Sequence, residues 1–231
     1  DTLAAGSGPV GIDASPDGAL VFVADWYRNR LLVLDAARRD AAAIEIEVGK
    51  APAGVAAAAD GRTVYVAERD DDSVAAVDLA TRTVRARVKV GSHPFALLLD
   101  APRQRLFALN VLSDDVSVID LRSMAVSATL KVGKAPYGAA LAAGGALLYV
   151  TNQHGNTVSV IDAETLAVKR TLPGFAYPEG IAAHGDRVYV VNWMDDNVAV
   201  LDAASGRTLT TIETGTNSRG FGAFIGAPAA P

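Results

Sequence analysis

Leu147 to Val168 reads LLYVTNQHGNTVSVIDAETLAV, and near copies return about every forty-two residues along the chain. They begin at Val21 (VFVADWYRNRLLVLDAA), Val64 (VYVAERDDDSVAAVDLA), Leu106 (LFALNVLSDDVSVIDLR) and Val188 (VYVVNWMDDNVAVLDAA). A unit of this length cannot bury its apolar face alone, so each copy must pack on its neighbours. A period near forty with several short strands per unit predicts the blades of a β-propeller.

Each unit opens on a Gly/Pro loop: GSGPVG at Gly6, GKAPAG at Gly49, GSHPFA at Gly91, GKAPYG at Gly133 and PGFAYPEG at Pro173. These loops set repeats at about 6–48, 49–90, 91–132, 133–174 and 175–217, with end segments 1–5 and 218–231. Within a unit we read strand a, a turn such as SPDG (Ser15 to Gly18) or ADGR (Ala59 to Arg62), then an alternating, β-rich strand b, as in Thr63 to Ala67. A polar hairpin loop leads to strand c, which ends at Asp35, Asp78, Asp120, Asp162 or Asp202, and strand d closes the unit. The expected fold class is all-β, a propeller of four-stranded antiparallel blades.

The unbroken repeat leaves no place for a linker, so the 231 residues read as one domain. Half of them are apolar and only 20% are charged, enough for a core and unlike a disordered chain. The apolar runs are too short to span a bilayer. A net charge of −5 argues against nucleic acid as the main partner, because phosphate binding needs a basic surface. Cysteine is absent, which excludes disulfides and thiol catalysis. The chain begins at Asp1 rather than Met, which reads as a processed or trimmed product and makes export an inference.

LYVTN at Leu148 to Asn152, followed by VSVID at Val158 to Asp162 and by the GKAP-type loops, resembles the YVTN family of β-propeller repeat proteins. The resemblance covers nearly the whole chain and is specific for architecture, not for activity. It implies a bacterial or archaeal protein, often periplasmic or on the cell surface. Related propellers serve as binding platforms, as lactonases and as domains of haem- or quinone-linked dehydrogenases.

Such propellers usually carry seven blades, whereas this chain holds five complete repeats and two fragments. DTLAAG at Asp1 aligns with the strand d ends, and SRGFGAFI at Ser218 aligns with strand a. A closed five-bladed ring, with the first residues added to the last blade, would remove exposed sheet edges. The alternatives are part of a larger ring and an open arc that needs a partner.

In an antiparallel four-stranded blade the d–a and b–c loops leave one face, and the a–b and c–d turns leave the other. The second face carries ordinary turn sequences. The first face varies from repeat to repeat, which is where binding specificity usually lives. Its b–c loops supply Trp26, Tyr27, Arg28, Arg69, His154, Trp193 and Met194, and its d–a loops supply His93, Tyr137, Tyr177, Glu179 and Arg219. If five repeats close, Trp26 and Trp193 become neighbours, forming with Tyr27 and Met194 an apolar patch ringed by Arg28, Asp195 and Asp196. The competing reading is that both indoles simply cover the seam.

Asp25, Glu68, Asn110, Asn152 and Asn192 share the end of strand b and read as caps on nearby backbone of the hairpin. His93 and His154, with Glu179 one repeat further on, are a weak metal signal without tight spacing. Neither Ser92 beside His93 nor the scattered Asp residues define a nucleophile and base. No cofactor is expected. The reading is a non-catalytic platform in the periplasm or at the cell surface that binds a protein or a small molecule. Its alternatives are a lactonase-like hydrolase or redox-linked propeller subunit, and a structural subunit of an assembly.

Overall fold

The computed structural model describes residues 5–38 and 40–220. The strand d reading of the first residues and the strand a reading beyond Gly220 lie outside the described residues. Contacts group the chain into two compact units, Asp1–Thr129 and Leu130–Pro231, and each is described by itself. The boundary falls inside a strand rather than in a linker.

The first unit starts with the blade β1 (Pro9–Ala14), β2 (Leu20–Asp25), β3 (Arg30–Asp35) and β4 (Ile44–Glu47). The second blade is β5 (Pro52–Ala57), β6 (Thr63–Glu68), β7 (Ser73–Asp78) and β8 (Thr83–Lys89). The third is β9 (Pro94–Asp100), β10 (Arg105–Asn110), β11 (Asp115–Asp120) and β12 (Ala125–Lys131), the last of which holds the unit boundary. The second unit holds the blades β13 (Pro136–Ala142), β14 (Leu147–Asn152), β15 (Thr157–Asp162), β16 (Val168–Pro173) and β17 (Pro178–His184), β18 (Arg187–Asn192), β19 (Asn197–Asp202), β20 (Thr208–Glu213). Every sheet is a four-stranded meander in sequence order, five blades in all among the described residues, as a β-propeller requires.

The a–b and c–d turns hold themselves together. Asp162, at the end of strand c, accepts the N–H groups of Glu164 and Thr165 at 3.0 and 2.9 Å, and Asp78 does the same for Ala80 and Thr81. Such side-chain-to-backbone bonds make a turn of one Asp. The Thr165 N–H, reinforced by the Lys169 ammonium, holds the Asp162 carboxyl down at about 2.

Burial differs from the alternation expected of strand b. All six residues of β6 and all six of β7 are buried. The second blade is covered on both faces, by Phe22, Leu31 and Ile46 of the first blade and by Leu106 and Ile119 of the third, so both side-chain rows are core. Alternation survives on the outermost strand: β8 buries or half-buries every second residue from Val84 to Val88. In the second unit Tyr149, Val158, Val160, Ile181, Val188 and Leu201 form the core between the two blades. Each fully buried side chain of this size contributes about 1.5–3 kcal/mol.

Neighbouring strands a approach too closely for side chains between them. A Cβ built on Gly54 would stand 2.5 Å from the Phe95 carbonyl oxygen, and one on Gly138 would stand 2.6 Å from that of Glu179. Glycine is required at both positions for this reason, and not for its turn conformations.

Candidate functional site

The b–c hairpin of each repeat is stitched to the d–a loop of the same repeat. Trp26 N–H donates to Gly8 O at 2.9 Å, Gln153 N–H to Ala135 O at 2.9 Å and Trp193 N–H to Tyr177 O at 3.4 Å. The two loop families therefore share one rim within each unit, as strand polarity predicts. The residues ending strand b complete the stitch by a route that differs from the expected hairpin contact. Asp25 accepts from the Ser7 and Gly8 N–H groups, Glu68 from Gly49 N–H at 2.7 Å, and Asn152 from Gly133 N–H at 3.0 Å. They cap the preceding d–a loop because strands a and b are paired, which brings that loop beside the end of strand b.

A second series sits four residues after each of these caps and, apart from Asp196, was not singled out from the sequence. Asn29, Asp72, Asp114, Asn156 and Asp196 all have left-handed backbones, with φ between 49° and 56°. Asn29, Asp72 and Asn156 accept a bond from the next repeat, Ala51 N–H at 3.1 Å, His93 at 2.8 Å and Tyr177 at 2.9 Å, and Asp196 accepts one from Asn217 N–H, beyond β20, at 2.6 Å. The signal that could have found them is Asn or Asp, the residues most tolerant of that conformation, at a fixed offset in every repeat. Their partners are also left-handed, including the bulky His93 (φ 58°) and Tyr177 (φ 53°). Such a conformation is costly for a large side chain and is held by the surrounding bonds.

In the first unit the rim gathers Trp26, Arg69 and His93. The Arg69 guanidinium carbon lies 5.2 Å from the Trp26 ring centre, and its Nη1 pairs with Asp70 at 2.5 Å. His93 stands 3.9 Å from Asp70 and 3.7 Å from Asp72. Tyr27 is 75% exposed, and Arg28 is an exposed turn residue.

In the second unit the rim brings more of the expected residues together. Tyr177 packs edge-on against Trp193, with ring centres 5.1 Å apart, and its hydroxyl meets His154 Nε2 at 2.9 Å. The Arg219 guanidinium lies over the Trp193 ring at 4.0 Å. Glu179 is buried and accepts from Gln153 Nε2 at 2.8 Å, while its other oxygen faces Arg219 Nε at 3.8 Å. Gln153 is the member of this cluster that the candidate set omits. Met194, whose N–H donates to Ala176 O at 3.2 Å, is exposed.

Burial pushes the Glu179 carboxyl above the ordinary carboxylate range, against the pull of Arg219 and Gln153. Burial also pushes the Tyr137 hydroxyl up to about 12, with the Glu179 charge adding to it. Tyr137, Glu179 and Arg219 thus sense one another. His154 spends one ring nitrogen on Tyr177, and among the described residues no three His, Cys, Asp or Glu side chains are placed to hold a metal ion. Among the described residues no helix is long and apolar enough to cross a membrane, which says nothing of β-barrels.

Solved structures of similar fold include hydrazine synthase of Kuenenia stuttgartiensis, 16% identical with a TM-score of 0.69 over 94% of this chain and 89% of that one. A catalytically inactive virginiamycin B lyase from Staphylococcus aureus with quinupristin is 15% identical, with a TM-score of 0.75 over 89% of this chain and 69% of that one. A chain of the mitotic checkpoint complex is 19% identical, with a TM-score of 0.78 over 90% of this chain and 64% of its own length. At these identities the likeness establishes the fold alone. No curated protein matches the sequence. The family described as YNCE-like beta-propeller matches residues 57–229, three quarters of the chain, including the whole second-unit cluster. The chain belongs to the YNCE-like beta-propeller family.

Proposed function

We propose that this protein is a non-catalytic β-propeller platform that binds a protein or a small molecule on the rim of its d–a and b–c loops. The observation that carries the reading is the cluster Tyr137, Gln153, His154, Tyr177, Glu179, Trp193 and Arg219 in the second unit, where aromatic rings and charges meet at the ends of rigid strands. Partly exposed aromatics and arginine are the side chains that most often dominate binding. The opposite face offers turns whose polar groups are already spent on themselves, such as Asp162 on its own turn. The fold neighbours are as different as a synthase, a lyase and a chain of a checkpoint complex, which fits a scaffold whose role lies in its loops. We place the protein in the periplasm or at the cell surface on the strength of its resemblance to YVTN proteins.

Capture of a partner from a cell-envelope extract tests the working face. Alanine at Trp193, Tyr177 or His154 should abolish capture, while alanine at Asp17 or Arg62 of the opposite turns should leave it intact. The reverse pattern would move the working face to the other side.

A further inference from the structure

Arg219, in the end segment, has the place in sequence that Glu179 and Tyr137 have in their repeats, the residue before the glycine of the inner segment. One contact fixes it there: Asn217 N–H bonds Asp196 Oδ1 at 2.6 Å just as Tyr177 N–H bonds Asn156 Oδ1 at 2.9 Å. Gly220 then lies against Gly180, one residue on from the place at which Glu179 meets Gly138. Repeat register, and not a chance surface contact, delivers this guanidinium to the Trp193 ring.

The guanidinium is nonetheless poorly served. Its side chain is 57% exposed, and its Nε stands 3.8 Å from a carboxylate that is itself only 4% exposed, a separation beyond hydrogen-bond reach. A buried carboxylate needs a cation with good geometry. Glu68 of the first unit shows what full service looks like: Gly49 N–H at 2.7 Å, Ser73 Oγ at 2.8 Å and Arg87 Nε at 3.0 Å from both oxygens. Glu179 has one short bond, from Gln153, and an oxygen turned toward Arg219. The guanidinium that faces this oxygen lies over the Trp193 ring, against which Tyr177 packs edge-on, and such a ring face suits a planar cation.

Deepening the platform reading on which it rests, we propose that Glu179 and Trp193, with Tyr177 packed against the indole, form a receptor for an alkylguanidinium group. Arg219 is its tethered occupant, which an external guanidinium replaces by pairing with Glu179 at hydrogen-bond distance. The occupant belongs to an arginine-bearing peptide or to a free small guanidine.

Isothermal titration calorimetry on the full chain tests this, with N-acetyl-arginine amide as probe and the neutral isostere N-acetyl-citrulline amide as control. Arg219→Ala should bind the arginine probe at least tenfold more tightly than the unchanged chain, and citrulline should give no heat. Adding Glu179→Gln should weaken the probe at least tenfold. Arg219→Gln, which keeps the length of the side chain, serves if the alanine variant melts early. No saturable heat with either Arg219 variant, or equal binding with and without the Glu179 carboxylate, overturns the receptor. Methylguanidinium and a Gly-Arg-Gly amide separate the two sources, since tighter binding of the peptide assigns a peptide arginine and equal binding assigns a free cation. Should guanidinium binding fail while rim variants still abolish partner capture, only the receptor is lost. Failure of both removes the platform as well.

Discussion

A Cβ built on Gly138 would stand 2.6 Å from the carbonyl oxygen of Glu179, so the inner strands of the second unit pack backbone against backbone. Thr151 Oγ1 confirms the closeness by donating to that same oxygen at 2.8 Å while accepting from Gly138 N–H at 2.8 Å. Gly138→Ala should therefore destabilise the protein by about 1–3 kcal/mol through overpacking. Gly215→Ala is the control, because nothing lies within 4 Å of its built Cβ, and it should stay within about 0.5 kcal/mol of the parent. Urea denaturation of both variants reads the difference, and equal midpoints would mean that the inner strands can part without cost.

Val160 makes the complementary test of the core. It is fully buried, pairs with Tyr149 on one side and Arg170 on the other, and belongs to the cluster between the two blades of the second unit. Val160→Asp places an unpaired carboxylate there and should cost about 4 kcal/mol or more. A denaturation midpoint unchanged from the parent would remove β15 from the core.

The repeat made most of this fold legible. VSVI followed by Asp announces a strand and its turn together, and β15 with the Asp162 turn is what forms. Loop polarity was legible too, since antiparallel order alone puts His154 and Tyr177 on one rim. Burial of strand b was not, because Thr63 and Tyr65 alternate with valines yet are covered from both sides by neighbouring blades, a fact of packing between repeats. The contact of Gln153 with Glu179, 26 residues away, was hidden for the same reason: it joins the b–c loop of one repeat to strand a of the next. Within one repeat Gln153 looks like any polar loop residue.

The turn aspartates predict how the protein meets acid. Asp78 is held down at about 2, first by the hydrogen bond from Arg62 and then by the Thr81 N–H. A depressed carboxyl adds stability that is fully present above its unfolded value, near 3.8, and is lost as pH falls through about 2. Asp78→Asn should lower the melting temperature at neutral pH, and the gap to the parent should narrow between about pH 4 and 2. A gap that is constant over that window would show that the turn depends on the shape of the side chain and not on its charge.

Glu179 should behave in the opposite sense. Burial raises its carboxyl above the ordinary range, while the Arg219 cation and the Gln153 amide pull it back down. A raised carboxyl favours the folded state most at low pH, and that advantage is lost as pH rises through the folded-state value. Glu179→Gln keeps the shape and removes the charge, so its stability relative to the parent should climb as pH goes from about 4 to 8. In an Arg219→Ala background, where the opposing cation is gone, the climb should be steeper and extend to higher pH. Melting temperatures of the four chains across that range measure it. A pH-independent difference would mean that the Glu179 carboxylate is as well solvated in the folded protein as in the unfolded chain.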